Sequence, residues 1–350
     1  MSTHYFLKRN RGFFIILFVS LIFINETFAG KIEFIPDSSQ IEKPNIYVVT
    51  NRPNQYDSIT NDYFPNMVSP EKSLTYLKVF NHEGKWLVQD LESIDDFKAG
   101  NNVLKNWLVY VHGDSQTPDL AFTRGLQLQE EYKVNVIVFS WPSKDPTMGG
   151  LQNFNNSRSQ IEQSTAGFVQ FLLELDTWKN KFDLVQNTHL TLFLHSLGNY
   201  FLERIVTDSL LLNSQIKIFD NVILNAAAVN QMGHQLWLEK VNIQDRIFVN
   251  SNRKDMTLKG VDLFTDFDRQ LGEQAVDNFA SNAVYVNFSQ AFKNELNFGL
   301  LHGYYVGVIP GKSQNIFHYY QTIFHGDDID LSNRNMFMPN DSIPVYEIIF

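Results

Sequence analysis

From about residue 105 onward, short apolar runs alternate with stretches whose apolar residues recur at helical spacing. Trp107 to Val111, Val134 to Phe139, Leu190 to Leu194, Asn221 to Leu224, Arg246 to Val249 and Ala283 to Phe288 read as strands. Residues 117–132, 157–178 and 199–212 read as helices. In the second of these, Ile161, Thr165, Phe168, Leu172 and Leu175 share one face. A strand without a polar side must be covered on both faces. The alternation therefore predicts an α/β chain with a mostly parallel central sheet and helices on both faces.

The flanks differ in character. Residues 45–50 read as a strand, and 74–80 with 85–88 as a hairpin around His82-Glu83-Gly84. Residues 30–100 are thus expected as an N-terminal β extension packed on a main domain of residues 101–325. The stretch 257–282 is polar with scattered Phe and Leu and is expected as a helical insertion near a site. Residues 326–350, rich in Asn and Asp, read as a C-terminal tail. At the start, Lys8, Arg9 and Arg11 precede an apolar run from Phe13 to Ile24 broken only by Ser20, and Ala29-Gly30 follow. That order predicts a signal peptide over 1–29, and hence a periplasmic or extracellular protein. The run is shorter than the ~20 residues a spanning helix needs, so no stable transmembrane span is expected after cleavage.

Composition removes several function classes. The formal net charge is -10 and there is no cysteine. An acidic chain lacks the basic face that nucleic acid requires, and also a polybasic patch for anionic lipid. Without cysteine there is no disulfide scaffold, no Cys-ligated metal, no Cys nucleophile and no lipoprotein anchor.

The most informative stretch runs from Leu190 to Asn199, where an apolar strand leads into His195-Ser196-Leu197-Gly198 and a helix begins. A serine at such a turn projects its hydroxyl above the strand ends. The helix start brings N–H groups beside it, that of Leu197 among them, able to bind an acyl oxyanion. The plainer reading of Ser196 is a helix N-cap. Earlier, strand 107–111 ends at His112-Gly113-Asp114. There the backbone N–H of Asp114, or less favourably Ser115, is placed to be a second oxyanion donor, with His112 structural. Asp255 follows strand 246–249 and is the candidate acid; Asp262, Asp266 and Asp268 are its rivals. His302, beyond the last strand, is the candidate base. Of its rivals, His318 reads as core and His325 as surface or a weak metal contact.

These stretches resemble a bacterial family of α/β hydrolases of unknown function, the DUF900 family. Val48-Val49-Thr50-Asn51-Arg52 looks like its Thr-x-Arg opening strand, and His112-Gly113 with Ser140-Trp141-Pro142-Ser143 like its His-Gly loop and Ser-Trp-Pro-Ser strand end. His195-Ser196-Leu197-Gly198-Asn199 looks like its His-Ser-Met-Gly-Asn elbow. The likeness spans roughly residues 45–310. It implies an α/β-hydrolase fold and a serine hydrolase, esterase- or lipase-like, acting on a small-molecule or lipid acyl substrate through Ser196, Asp255 and His302 with no cofactor.

Two departures stand out. Leu194 replaces the small residue normally found two before the nucleophile, which predicts that strand and helix are forced apart. A scaffold so altered would serve instead as a hydrolase-fold binding or envelope-associated protein. After strand 221–224, Asn225-Ala226-Ala227-Ala228-Val229-Asn230 lacks the Pro and Asp of the family's run.

Overall fold

The computed structural model describes residues 31–35, 46–57, 62–97, 106–181, 188–211, 216–262, 269–276, 278–292 and 297–350. The expected signal peptide, Asp266 and Asp268 lie outside these residues.

The strands are β1 (Ile32–Phe34), β2 (Ile46–Thr50), β3 (Tyr56–Asp57), β4 (Asp62–Tyr63), β5 (Thr75–His82), β6 (Lys85–Leu91), β7 (Trp107–Val111), β8 (Asn135–Ser140), β9 (Leu190–His195), β10 (Phe219–Asn225), β11 (Gln244–Ser251), β12 (Ala283–Asn287), β13 (Phe337–Pro339) and β14 (Val345–Ile348). All but β3 and β4 form one sheet, in the order β1-β6-β5-β2-β8-β7-β9-β10-β11-β12-β14-β13. From β2 across to β14 every neighbouring pair is parallel.

The helices are α1 (Pro118–Tyr132), α2 (Gly150–Lys181), α3 (Asn199–Thr207), α4 (His234–Leu238), α5 (Met256–Asp262), α6 (Phe298–His302), α7 (Val308–Lys312) and α8 (Gln314–Phe324). Side chains alternate across the sheet, so each strand feeds both layers. On one face Phe139 of β8 meets Phe168 and Phe171 of α2 and Phe201 of α3. On the other, Phe193 of β9 meets Tyr305, and Tyr320 and Phe324 of α8. Every residue of β7, β8 and β9 is buried.

Three expectations change. The presumed tail carries β13 and β14, with β14 parallel to β12 and β13 antiparallel to β14. These strands are short and sit among Asn and Asp, so local composition hides them. Within the insertion 257–282 the described residues are helical up to Asp262, and residues 270–273 form a turn bonded to the loop after β10. His318 is exposed, because Ile316, Tyr319, Tyr320 and Ile323 form the buried face of α8 and leave it outside.

The chain leaves β7 for β8 on one side, then returns across to β9 on the other. Neighbouring strands whose connections depart in opposite directions open a crevice at their carboxyl ends. Register pairs Val111 with Leu194. Two residues further along each strand, Gly113 and Ser196 are therefore set side by side.

Candidate active site

Ser196 occupies the turn between β9 and the helix with φ of 52°. This left-handed conformation is rare for a residue with a side chain. The strained turn is tied down by its neighbours. The Ser196 carbonyl accepts from Asn199 Nδ2 at 2.8 Å and from the Ala228 N–H at 3.1 Å. Asn199 Nδ2 also reaches the Leu194 carbonyl at 3.1 Å. The elbow asparagine, given no separate role in the sequence reading, thus binds both sides of the turn.

Close approach explains the glycines. A Cβ on Gly113 would lie 2.7 Å from Ser196 Cβ, and one on Gly198 would lie 2.7 Å from the His112 carbonyl oxygen. Leu194 is accommodated in the turn: it is fully buried within the sheet, its carbonyl accepts from Asn199 Nδ2 across the turn, and Gly198 lies against the carbonyl oxygens of His112 and Val111.

His112 is structural. Its Nε2 accepts the Trp141 N–H at 3.2 Å, which leaves Nδ1 protonated and donating to the Gly113 carbonyl at 2.9 Å. Its ring stacks on Trp141 at 5.2 Å and 5°. Burial, the largest cause, lowers its pKa to about 3, so the ring stays neutral. Trp141 is pinned in turn: the buried Arg52 donates to its carbonyl at 2.6 Å, and Thr50 Oγ1 donates to the Ser140 carbonyl at 2.7 Å. The Thr-x-Arg stretch therefore braces the strand end behind the His-Gly loop.

Of the two oxyanion candidates in this loop, the Ser115 N–H is occupied by the Ser143 carbonyl at 2.9 Å. Asp114 remains, one residue beyond the glycine that touches Ser196. Leu197 lies in the first turn after Ser196, where N–H groups have no partner within the helix.

The candidate acid and base meet directly. His302 Nδ1 and Asp255 Oδ2 are 2.6 Å apart, and Asp255 is fully buried. The other oxygen, Oδ1, accepts the N–H groups of Thr257 and Leu258 at 3.0 and 3.1 Å, so Asp255 caps the start of α5. The helix end satisfies one carboxylate oxygen and leaves the other for histidine. Asn252, missed in the sequence reading, donates through Nδ2 to the Leu301 carbonyl at 2.8 Å and anchors α6 beside His302. Nothing local marked it. The His302 ring lies 4.7 Å from that of His195, the residue before Ser196. Among the described residues its only hydrogen bond is to Asp255, which leaves Nε2 open.

The rivals go elsewhere. Asp262 accepts from Gln270 Nε2 at 2.8 Å. His318 is exposed. His325 joins the Tyr132 carbonyl at 2.8 Å and Asn106 at 3.0 Å, a tether far along the chain from the strand ends. No helix among the described residues is long and apolar enough to cross a membrane.

Comparison with curated proteins yields no match. A family model described as an alpha/beta hydrolase of unknown function (DUF900) matches residues 92–304. That span runs from the end of β6 through His302 and takes in the turn at Ser196, the His-Gly loop and the Asp255 pair. With the parallel sheet and the turn at Ser196, it places this chain in the DUF900 family of α/β hydrolases.

Proposed function

We propose that this chain is an exported serine hydrolase that cleaves an ester or related acyl bond through an acyl-enzyme. The observation that carries the reading is the Asp255–His302 pair at 2.6 Å, assembled at the same strand ends as a serine held in the left-handed conformation. With Nδ1 bonded to the Asp255 carboxylate, His302 presents its Nε2 lone pair. Nε2 takes the Ser196 hydroxyl proton as Oγ attacks the acyl carbonyl carbon. The N–H groups of Leu197 and Asp114 receive the oxyanion. Collapse of the tetrahedral intermediate expels the alcohol, which takes the proton back from His302. Water, deprotonated by His302, then attacks the acyl-Ser196 carbon. Release of the acid restores the serine. Asp255 holds the imidazole and stabilises the imidazolium without itself becoming protonated.

A fluorophosphonate probe tests the reading. Wild type should be labelled and Ser196→Ala should not; Asp255→Asn should label far more slowly. Well-folded wild type that resists the probe would sink the hydrolase and leave a hydrolase-fold binding protein.

A further inference from the structure

A cluster of polar side chains lies behind the His-Gly loop, outside the Ser196–Asp255–His302 set. Asn153 and Ser157, successive turns of α2, both donate to Asp114 Oδ1, at 2.8 and 2.6 Å. Ser115 Oγ donates to Oδ2 at 3.1 Å. The Ser143 carbonyl accepts Asn153 Nδ2 and the Ser115 N–H, each at 2.9 Å, and lies 2.8 Å from Ser157 Oγ, whose single proton it shares with Asp114. The Ser143 hydroxyl both donates to the Gln116 carbonyl and accepts the Gln116 N–H, at 3.0 Å each. Asn153, Ser157 and Ser143 are fully buried.

This cluster has a geometric consequence. The peptide joining Gly113 to Asp114 is the one whose N–H must point at the developing oxyanion. Glycine on one side of it allows the peptide plane to flip at little cost. Asp114 is on the other side, and the carbonyl of this peptide, that of Gly113, is held by His112 Nδ1 at 2.9 Å. That bond fixes the carbonyl end of the plane. A carboxylate gripped from α2 fixes the N–H end, because turning the peptide would pull Asp114 against three donors. The grip also spends the carboxylate's acceptor capacity on these donors rather than leaving a free anion near another forming negative charge.

We propose that Asn153 and Ser157, together with Ser143, are positioning residues that orient the Asp114 N–H over Ser196. The inference rests on the serine-hydrolase reading and assigns α2 a part in the reaction without contact with substrate. Removal of a whole oxyanion donor typically costs about 10²–10³ in kcat; a loosened donor should cost about 10-fold or more within that limit.

The test compares wild type, Ser157→Ala, Asp114→Asn and the exposed control Ser159→Ala on p-nitrophenyl acetate, with an alkylboronic acid as a tetrahedral-adduct inhibitor. Ser157→Ala should lower kcat about 10-fold or more with KM within about two-fold, and should weaken the boronic acid by a similar factor. Fluorophosphonate labelling should still reach completion, and Ser159→Ala should match wild type. Asp114→Asn keeps the N–H but turns an amide NH₂ toward donors; it should show the same split, and it carries the test if Ser157→Ala does not fold. An unchanged kcat, a rise in KM alone, or an unaffected boronic acid would overturn the proposal while leaving the hydrolase reading intact. Unlabelled wild type would overturn both.

Discussion

At the scale of single residues, Ser196 is held where an unstrained serine would not sit. A non-glycine residue in the left-handed region typically costs about 1–3 kcal/mol and persists only where surrounding contacts over-determine it. Here Asn199 and Ala228 grip its carbonyl. Ser196→Gly removes the Cβ responsible for the strain. It should therefore be more stable than wild type by roughly 1 kcal/mol in urea unfolding, and inactive; a lower midpoint would show that the turn is not strained. The opposite holds at Gly198. A Cβ there meets the carbonyl oxygens of His112 and Val111 at 2.7 and 2.8 Å, both backbone atoms that cannot swing aside. Gly198→Ala should lose about 1–3 kcal/mol of stability by the same measurement.

At the scale of elements, the connection after β11 carries a pair of carboxyl groups, Glu273 and Asp262. Glu273 is buried and its carboxyl pKa is pushed up to about 8, first by burial, then by the hydrogen bond to Asp262 and that group's charge, with the Gln270 N–H and then Lys259 opposing. Two carboxyl groups can share a hydrogen bond only if one keeps a proton. The pair joins the end of α5 to the turn at 270–273. That turn bonds to Ala227 and Val229 on one side and to Asn252 on the other. The folded chain therefore retains a proton that the unfolded chain releases near the ordinary glutamate value of 4.5. The associated stability is fully present below that value and is lost as pH rises through about 8. Thermal midpoints of wild type should fall between about pH 5 and pH 8. Glu273→Gln, which can still donate to Asp262, should flatten that fall. Parallel wild-type and variant profiles would assign the pH dependence to other groups.

At the scale of the whole molecule, the sheet's two edges are both short. β1 has three residues, and β13 has three with Pro339 among them. Short strands and proline discourage pairing with another chain. β14, lying between β13 and β12, buries Val345 and Ile348, and Glu347 pairs with Arg253 at 3.0 Å. Truncation after Met336 would open the edge of β12 and remove the buried Phe337. The shortened chain should aggregate and melt earlier than wild type by light scattering during a thermal ramp; an unchanged transition would make the C-terminal strands dispensable.

Much of this was legible in the chain of residues because it depends on local pattern. An unbroken apolar run specifies a covered strand, and a strand passing through His195-Ser196-Leu197-Gly198 into a helix specifies a sharp turn. The order of His112-Gly113, Ser196, Asp255 and His302, each after its own strand, was visible for the same reason. What the tertiary structure decided was pairing across long separations. Register brought Gly113 against Ser196. Capping of α5 chose Asp255 over Asp262 as the partner of His302. Crossing of α2 behind the His-Gly loop put Asn153 and Ser157 on Asp114. A buried polar group takes whichever partner the fold brings within about 3 Å. Periodicity fixes which face a residue lies on, but not what another element will place opposite it.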